Sequence, residues 1–422
     1  MKRHLLALLL LAASAARAPG QTTVIRAGRL LDTEAGAAAQ NQTIVVEGGK
    51  VKAVGAGVEI PKGANVIDLS RSTVLPGLFD AHTHLCLTIN LRRDAGSYFY
   101  TSIRDPDTYR AVQGAANARD MLAAGFTTVR DVGNEGDYAC VSVRRAVAGR
   151  LVPGPTMLTA GRIIAPYGGQ FHLQPGRREL GEPEYLFADT RDEMRKAVRE
   201  NVHFGALVIK IVVDDQRYIY STEDIRFIVE EARAVGMKVA AHAWTTAGIH
   251  NAVAAGVASV EHVNAITDED LAAAKRNGVT LVFTPFPEWV LRELGSTAEE
   301  AAKEFRDTGE RLAAAYKLGV PIAFGSDAGA SIPKYTRGTL SMTWVDSYAA
   351  AGVPPRAILQ MMTVNAARLL GVERVRGSIR PGMAADIIAT PADPLEDIQA
   401  LKRVNFVMKD GAVFRNDSEA RP

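Results

Sequence analysis

Eight times through the middle of this chain, a short apolar run gives way to a stretch whose apolar side chains recur with the period of a helix. The runs lie at 74–80, 127–131, 156–160, 207–213, 238–242, 259–261, 280–283 and 322–326. The helical stretches lie at 109–124, 138–148, 191–204, 222–235, 246–255, 268–277 and 298–318, with more helix after 326. Runs apolar on both faces predict strands buried on both faces, which is the habit of parallel sheets covered by their own crossover helices. Eight strand–helix units favour closure into a (β/α)₈ barrel over an open sheet.

The two ends of the chain have another texture. Short strands are predicted at 24–27, 43–46 and 51–54, and again at 386–390, 404–408 and 412–414, with turns such as Glu47-Gly48-Gly49-Lys50 and Lys409-Asp410-Gly411 between them. The expectation is one small β-sandwich domain built from 21–74 and 376–422 around a barrel domain of 75–375. A length of 422 residues, 47% of them hydrophobic, supports one large core and a smaller one. A net charge of +2 argues against a nucleic-acid partner or an anionic membrane surface.

At the N-terminus, Lys2-Arg3-His4 is basic, 5–13 is apolar, and Ser14-Ala15-Ala16-Arg17-Ala18 supplies small residues. This is the pattern of a signal peptide over 1–20, cut after Ala16, Ala18 or Gly20, and it predicts a periplasmic or secreted protein. The apolar run falls short of the roughly 20 residues needed to span a bilayer, so no membrane association is expected after cleavage. Cys86 and Cys140 are the only cysteines. One bridge and two free thiols are both compatible with the sequence.

Five signals fall at the C-terminal ends of predicted strands, where barrel enzymes keep their sites. In Asp80-Ala81-His82-Thr83-His84, alternate residues share a strand face, so His82 and His84 can bind one metal as neutral imidazoles. Lys210 lies in the apolar run 207–213, where a bare ammonium is costly. Carboxylation of its amine would give an anion able to bridge two cations. His242 and His262 each end a short apolar run, and Asp327 sits among small residues after another. An aspartate so placed can ligate a metal and accept a proton from water. Six candidate ligands, His82, His84, Lys210, His242, His262 and Asp327, thus converge on one barrel mouth.

These segments resemble those of the amidohydrolase superfamily over 24–414. The opening motif is Leu75-Pro76-Gly77-Leu78-Phe79-Asp80-Ala81-His82-Thr83-His84, and Gly125-Phe126-Thr127-Thr128-Val129-Arg130-Asp131 matches the second strand. Val208-Ile209-Lys210, Ala241-His242-Ala243, Ser259-Val260-Glu261-His262 and Gly325-Ser326-Asp327 match the remaining metal positions. Thr363-Val364-Asn365-Ala366-Ala367 and the segment 377–386 match the return into the small β domain. Within the superfamily, the chain looks most like the exported prolidase and dipeptidase-like branch that includes ochratoxinase and imidazolonepropionase-like enzymes.

The resemblance implies two divalent ions, zinc by the histidine-rich ligation. His82, His84 and Asp327 would hold one and His242 and His262 the other, with N6-carboxylysine at Lys210 between them. It implies hydrolysis of an amide by a bridging hydroxide, with Asp327 moving the proton, and a homo-oligomer. The expected substrate is a dipeptide or N-acyl amino acid, including ochratoxin-like amides, with an apolar or proline C-terminal residue. Relatives carry a Gly-His-Gly element after the third strand. Here 166–172 places Gln170 at the histidine, with His172 nearby. Gln170, His172 and Phe286 are candidate substrate contacts, Tyr218 and Tyr220 candidates to polarise the scissile carbonyl, and Arg92, Arg93 and Arg162 candidates for the substrate carboxylate. Lactone or carbamate hydrolysis, or opening of a cyclic amide, would use the same site. A metal-free binding scaffold is the alternative of another class.

Overall fold

The computed structural model describes residues 22–418, so the leader expected over 1–20 lies outside them. Helices start and stop on local signals. Arg191–Phe204 opens on a capping box between Thr190 and Glu193, and Ala298–Leu318 opens on one between Thr297 and Glu300. The first ends at Gly205 (φ 91°) and the second at Gly319 (φ 74°), left-handed positions that a side chain would strain.

Parallel strands Leu78–Thr83, Phe126–Asp131 and Thr156–Thr159 form one arc of a barrel. Ile209–Val212, Val239–Ala243, Ser259–His262 and Thr280–Val282 form the other. On one side the arcs join where Leu207 N donates to Thr159 O (2.8 Å). The third strand breaks at Gly161 and resumes as Ile163–Ala165, where Ile164 pairs with Ile211. On the other side the segment 321–327 completes the ring. Leu281 pairs with Ile322, Ala81 N donates to Phe324 O (2.8 Å), and Asp327 N donates to His82 O (2.9 Å). The strands carrying His82, Lys210, His242 and His262 are buried along their whole length, which explains their continuous apolar reading.

The chain ends, expected as a small β-sandwich, are hydrogen-bonded into one mixed seven-stranded sheet. The reason is the length of Asn65–Pro76. Its first part pairs parallel with Thr23–Asp32, and its last residues pair antiparallel with Ile387–Thr390. One strand therefore ties both chain ends into a single ladder, and the strands share one apolar cluster that includes Ile25, Ile44, Leu69, Ile387 and Phe406. The chain passes from this sheet into the barrel at Gly77, where a Cβ would collide with Thr127.

Cys86 and Cys140 form a disulfide with Cα atoms 5.7 Å apart. It ties the segment after the first barrel strand to helix Ala139–Ala148. Among the described residues no helix is long and apolar enough to cross a membrane.

Candidate metal centre

All six candidate ligands line one cavity of about 220 Å³ at the C-terminal ends of the barrel strands. His82 and His84 project together from the first strand, with their Nε2 atoms 3.2 Å apart. Each is held by its other ring nitrogen. His82 Nδ1 lies 2.8 Å from Glu261 Oε2, and His84 Nδ1 lies 2.8 Å from Gly133 O. Outer partners of this kind set the tautomer and aim the inner nitrogen at an ion. Asp327 Oδ1 lies 3.1 Å from His84 Nε2 and 3.7 Å from His82 Nε2.

Glu261 is itself clamped. Arg130 donates to both of its oxygens (2.8 and 2.9 Å) and to Ser259 Oγ (2.8 Å). Asp80 accepts from His82 N (3.1 Å) and Ser326 N (3.0 Å), which joins the first and last strands beneath the ligands. Buried Arg337 donates to His84 O (3.0 Å) and Leu87 O (2.7 Å).

The second half of the site contains Lys210, His242 and His262. His262 Nδ1 lies 2.9 Å from Thr284 Oγ1, and the His262 ring stacks on Trp244 at 4.8 Å. The His242 and His262 ring centroids are 4.7 Å apart. Lys210 is 2% exposed, and its Nζ has no hydrogen-bond partner. Burial pushes its ammonium down to about 8, against the pull of Glu261. Burial, together with the neighbouring cations and imidazoles, holds His82 and His262 well below the ordinary imidazole value, so both are neutral. Burial works to raise Asp327, but His82 and His84 hold its carboxyl below the ordinary range.

His262 (φ 70°) and Asp327 (φ 54°) are both left-handed without being glycine. Such strain costs on the order of 1–3 kcal/mol and persists where the surroundings over-determine the conformation, as at ligand clamps. Neutral imidazoles facing one another, an unpaired buried amine and an ionised carboxylate form a donor set that fits divalent cations. Among the described residues, two groups of donor atoms lie close enough to hold an ion, one being His82, His84 and Asp327, the other Asp214, Asp215 and His242.

The remaining predicted residues divide. Gln170 and Phe286 line the cavity. Gln170 accepts from Tyr185 OH (3.0 Å) and donates to Asp215, and Phe286 packs edge-on against Trp344 at 5.1 Å. Tyr220 is fully buried away from the cavity, its OH committed to Ala188 O (2.6 Å). Tyr218 is 51% exposed and His172 is exposed, and neither lines the cavity. The arginines are elsewhere too. Arg93 is bound to Asp94 and Asp105, Arg162 to Glu200, and Arg92 is exposed. Among the described residues no arginine lines the cavity. Sequence reasoning missed Glu261, Arg130 and Asp80 as supports of the candidate ligands, although all three stand inside the segments that carry the family resemblance. It also missed Asp215, whose signal was its place just past the Lys210 strand.

Residues 73–414 match the amidohydrolase family. The chain is 30% identical to ochratoxinase of Aspergillus niger, over 94% of this chain and 87% of that one. It is 27% identical to imidazolonepropionase of Symbiobacterium thermophilum, over 78% of each. It superposes on an Xaa-Pro dipeptidase solved with methionine in its active site with a TM-score of 0.83 and 29% identity, covering 94% of this chain and all of that one.

Proposed function

The chain belongs to the amidohydrolase family, and from that premise we propose that it is an exported hydrolase of dipeptides or N-acyl amino acids with an apolar or proline C-terminal residue. The observation that carries this reading is the convergence of six donor side chains on a cavity also lined by Leu87, Phe286, Val290, Leu294, Leu340 and Trp344. His82, His84 and Asp327 would hold one divalent cation and His242 and His262 the other, with zinc fitting the donor set. Lys210 would lie between them as a carbamate. Its unpaired, buried amine, held low enough to be partly neutral near pH 8, adds through Nζ to CO₂, forming an N–C bond and releasing one proton. The cations, when bound, supply Lewis acidity and water activation at neutral pH.

Asp327 is 20% exposed toward the cavity and accepts the proton of the attacking water. It returns that proton to the leaving nitrogen as the C–N bond breaks. Phe286, Val290, Leu294, Leu340 and Trp344 form the apolar wall against which the side chain of the released amino acid packs. An Xaa-Pro dipeptidase and an ochratoxinase among the relatives support that substrate class. The Cys86–Cys140 disulfide supports export, since such bonds persist in oxidising compartments.

The test is a product-release assay across Xaa-Pro and Xaa-Phe dipeptides and ochratoxin-like amides, run beside lactones and aminated heterocycles. Release of the C-terminal amino acid is expected. Turnover of lactones or heterocycles alone overturns the amide reading, and protein purified without metal that takes up none when zinc is added overturns catalysis of this kind.

A further inference from the structure

We infer that Asp215 supplies a carboxylate ligand to the second cation, the one assigned to His242 and His262, and that its neighbour Asp214 does not. The inference rests on the two-cation reading above and adds a ligand to it. Asp215 Oδ2 lies 3.0 Å from His242 Nε2. The same spacing recurs in the other half of the site, at 3.1 Å between Asp327 and His84 and 3.2 Å between His84 and His82. Donor atoms sharing a tetrahedral zinc stand about 3.3 Å apart.

His242 is 5% exposed and lines the cavity, and its Nε2 has no partner, Asp215 included, in good hydrogen-bond geometry. Elsewhere in the chain a histidine meets an acid properly. His250 Nδ1 hydrogen-bonds Asp270 Oδ1 at 2.8 Å. A close pair of donor atoms without good hydrogen-bond geometry is what two ligands of one ion present.

Asp214 is otherwise engaged. Its oxygens accept from Trp244 N (3.0 Å), Thr245 N (2.6 Å) and Thr245 Oγ1 (2.7 Å), so it holds the turn after the His242 strand. Asp215 receives one hydrogen bond, from Gln170, which Tyr185 fixes in turn. Ligating carboxylates are steadied from outside in this manner. Charge agrees. Two divalent cations bring four positive charges into a buried site. The Lys210 carbamate and Asp327 offset two of them and Asp215 a third, which lowers the cost of burying the pair.

The experiment is a zinc count on the full chain after dialysis against a chelator, comparing the native protein with D215N and D214N. The native protein and D214N are expected to keep two zinc ions per chain. D215N is expected to keep one, its second site weakened by at least about 10-fold. Two ions in D215N overturn the assignment while sparing the two-cation reading. Fewer than two in the native protein overturn both. Should D215N not fold, anomalous scattering at the zinc edge from native crystals decides. An Asp215 oxygen within about 2.2 Å of zinc supports the assignment, and one beyond bonding reach overturns it.

Discussion

A lysine with nothing to bond to is the most informative side chain in this molecule. Lys210 Nζ feels the charges of Glu261, Asp327 and Asp215 but hydrogen-bonds to none of them. On the proposed two-cation reading, replacing it by alanine would remove the bridging group. In K210A, zinc per chain is expected to fall below two and kcat/KM by at least about 100-fold, with the far-ultraviolet spectrum unchanged. Glu261 acts one step further out. E261Q leaves His82 Nδ1 a weaker partner and Arg130 an unbalanced charge, and zinc affinity is expected to drop about 10–100-fold in a chelator competition. The six candidate ligands were legible in the sequence because each stood in or just after an apolar run, where location and chemistry agreed. Tyr218, Tyr220 and His172 were not placeable, because the segments that carry them have no period to show which way a ring turns. Tyr220 buries its ring and gives its OH to a backbone carbonyl, as a packing tyrosine does. Asp215 was passed over because an acidic pair after a strand reads as ordinary turn chemistry.

At the level of elements, repetition made the fold readable. Strand and helix periods, capping residues and terminal glycines are local, so the units could be read one at a time. That one strand, Asn65–Pro76, pairs with strands from both chain ends could not, since it depends on how far that strand runs. The loop between the first strand and the first helix depends on one carboxylate. Asp94 accepts from Asn90 N (2.9 Å), Thr101 Oγ1 (2.7 Å) and Arg93 Nε (2.7 Å), and so shapes the turn leading to Tyr98 at the cavity wall. Burial works to raise its carboxyl, but these bonds bring it from 3.8 down to about 2. The folded value lies below the unfolded one, so the stabilisation is full above about pH 4 and is lost as pH falls toward 2. D94A is expected to lose about 2 kcal/mol in a denaturant titration at neutral pH, less than the bond count implies because Arg93 is partly exposed. That deficit should shrink on titration through the same acid window. The disulfide spans 54 residues, and C86A/C140A is expected to lose about 2–4 kcal/mol in the same assay.

For the molecule as a whole, the proposed ion binding would be coupled to folding. The ligands belong to strands from both arcs, so an unfolded chain offers no comparable site. Stripping zinc is expected to lower the melting temperature, and restoring it at a hundredfold excess over its dissociation constant to return about 3 kcal/mol. The barrel is closed by the meeting of its first strand with the segment before Asp327, through Ala81 N to Phe324 O and Asp327 N to His82 O. That seam has a consequence for biosynthesis. His82 and Asp327 leave the ribosome as far-separated parts of one thread, and the pocket they share does not exist until the final barrel segment has been made and threaded home. On the two-cation reading, the position shared by His82, His84 and Asp327 is therefore the last to form, and a nascent chain halted before Asp327 would lack it.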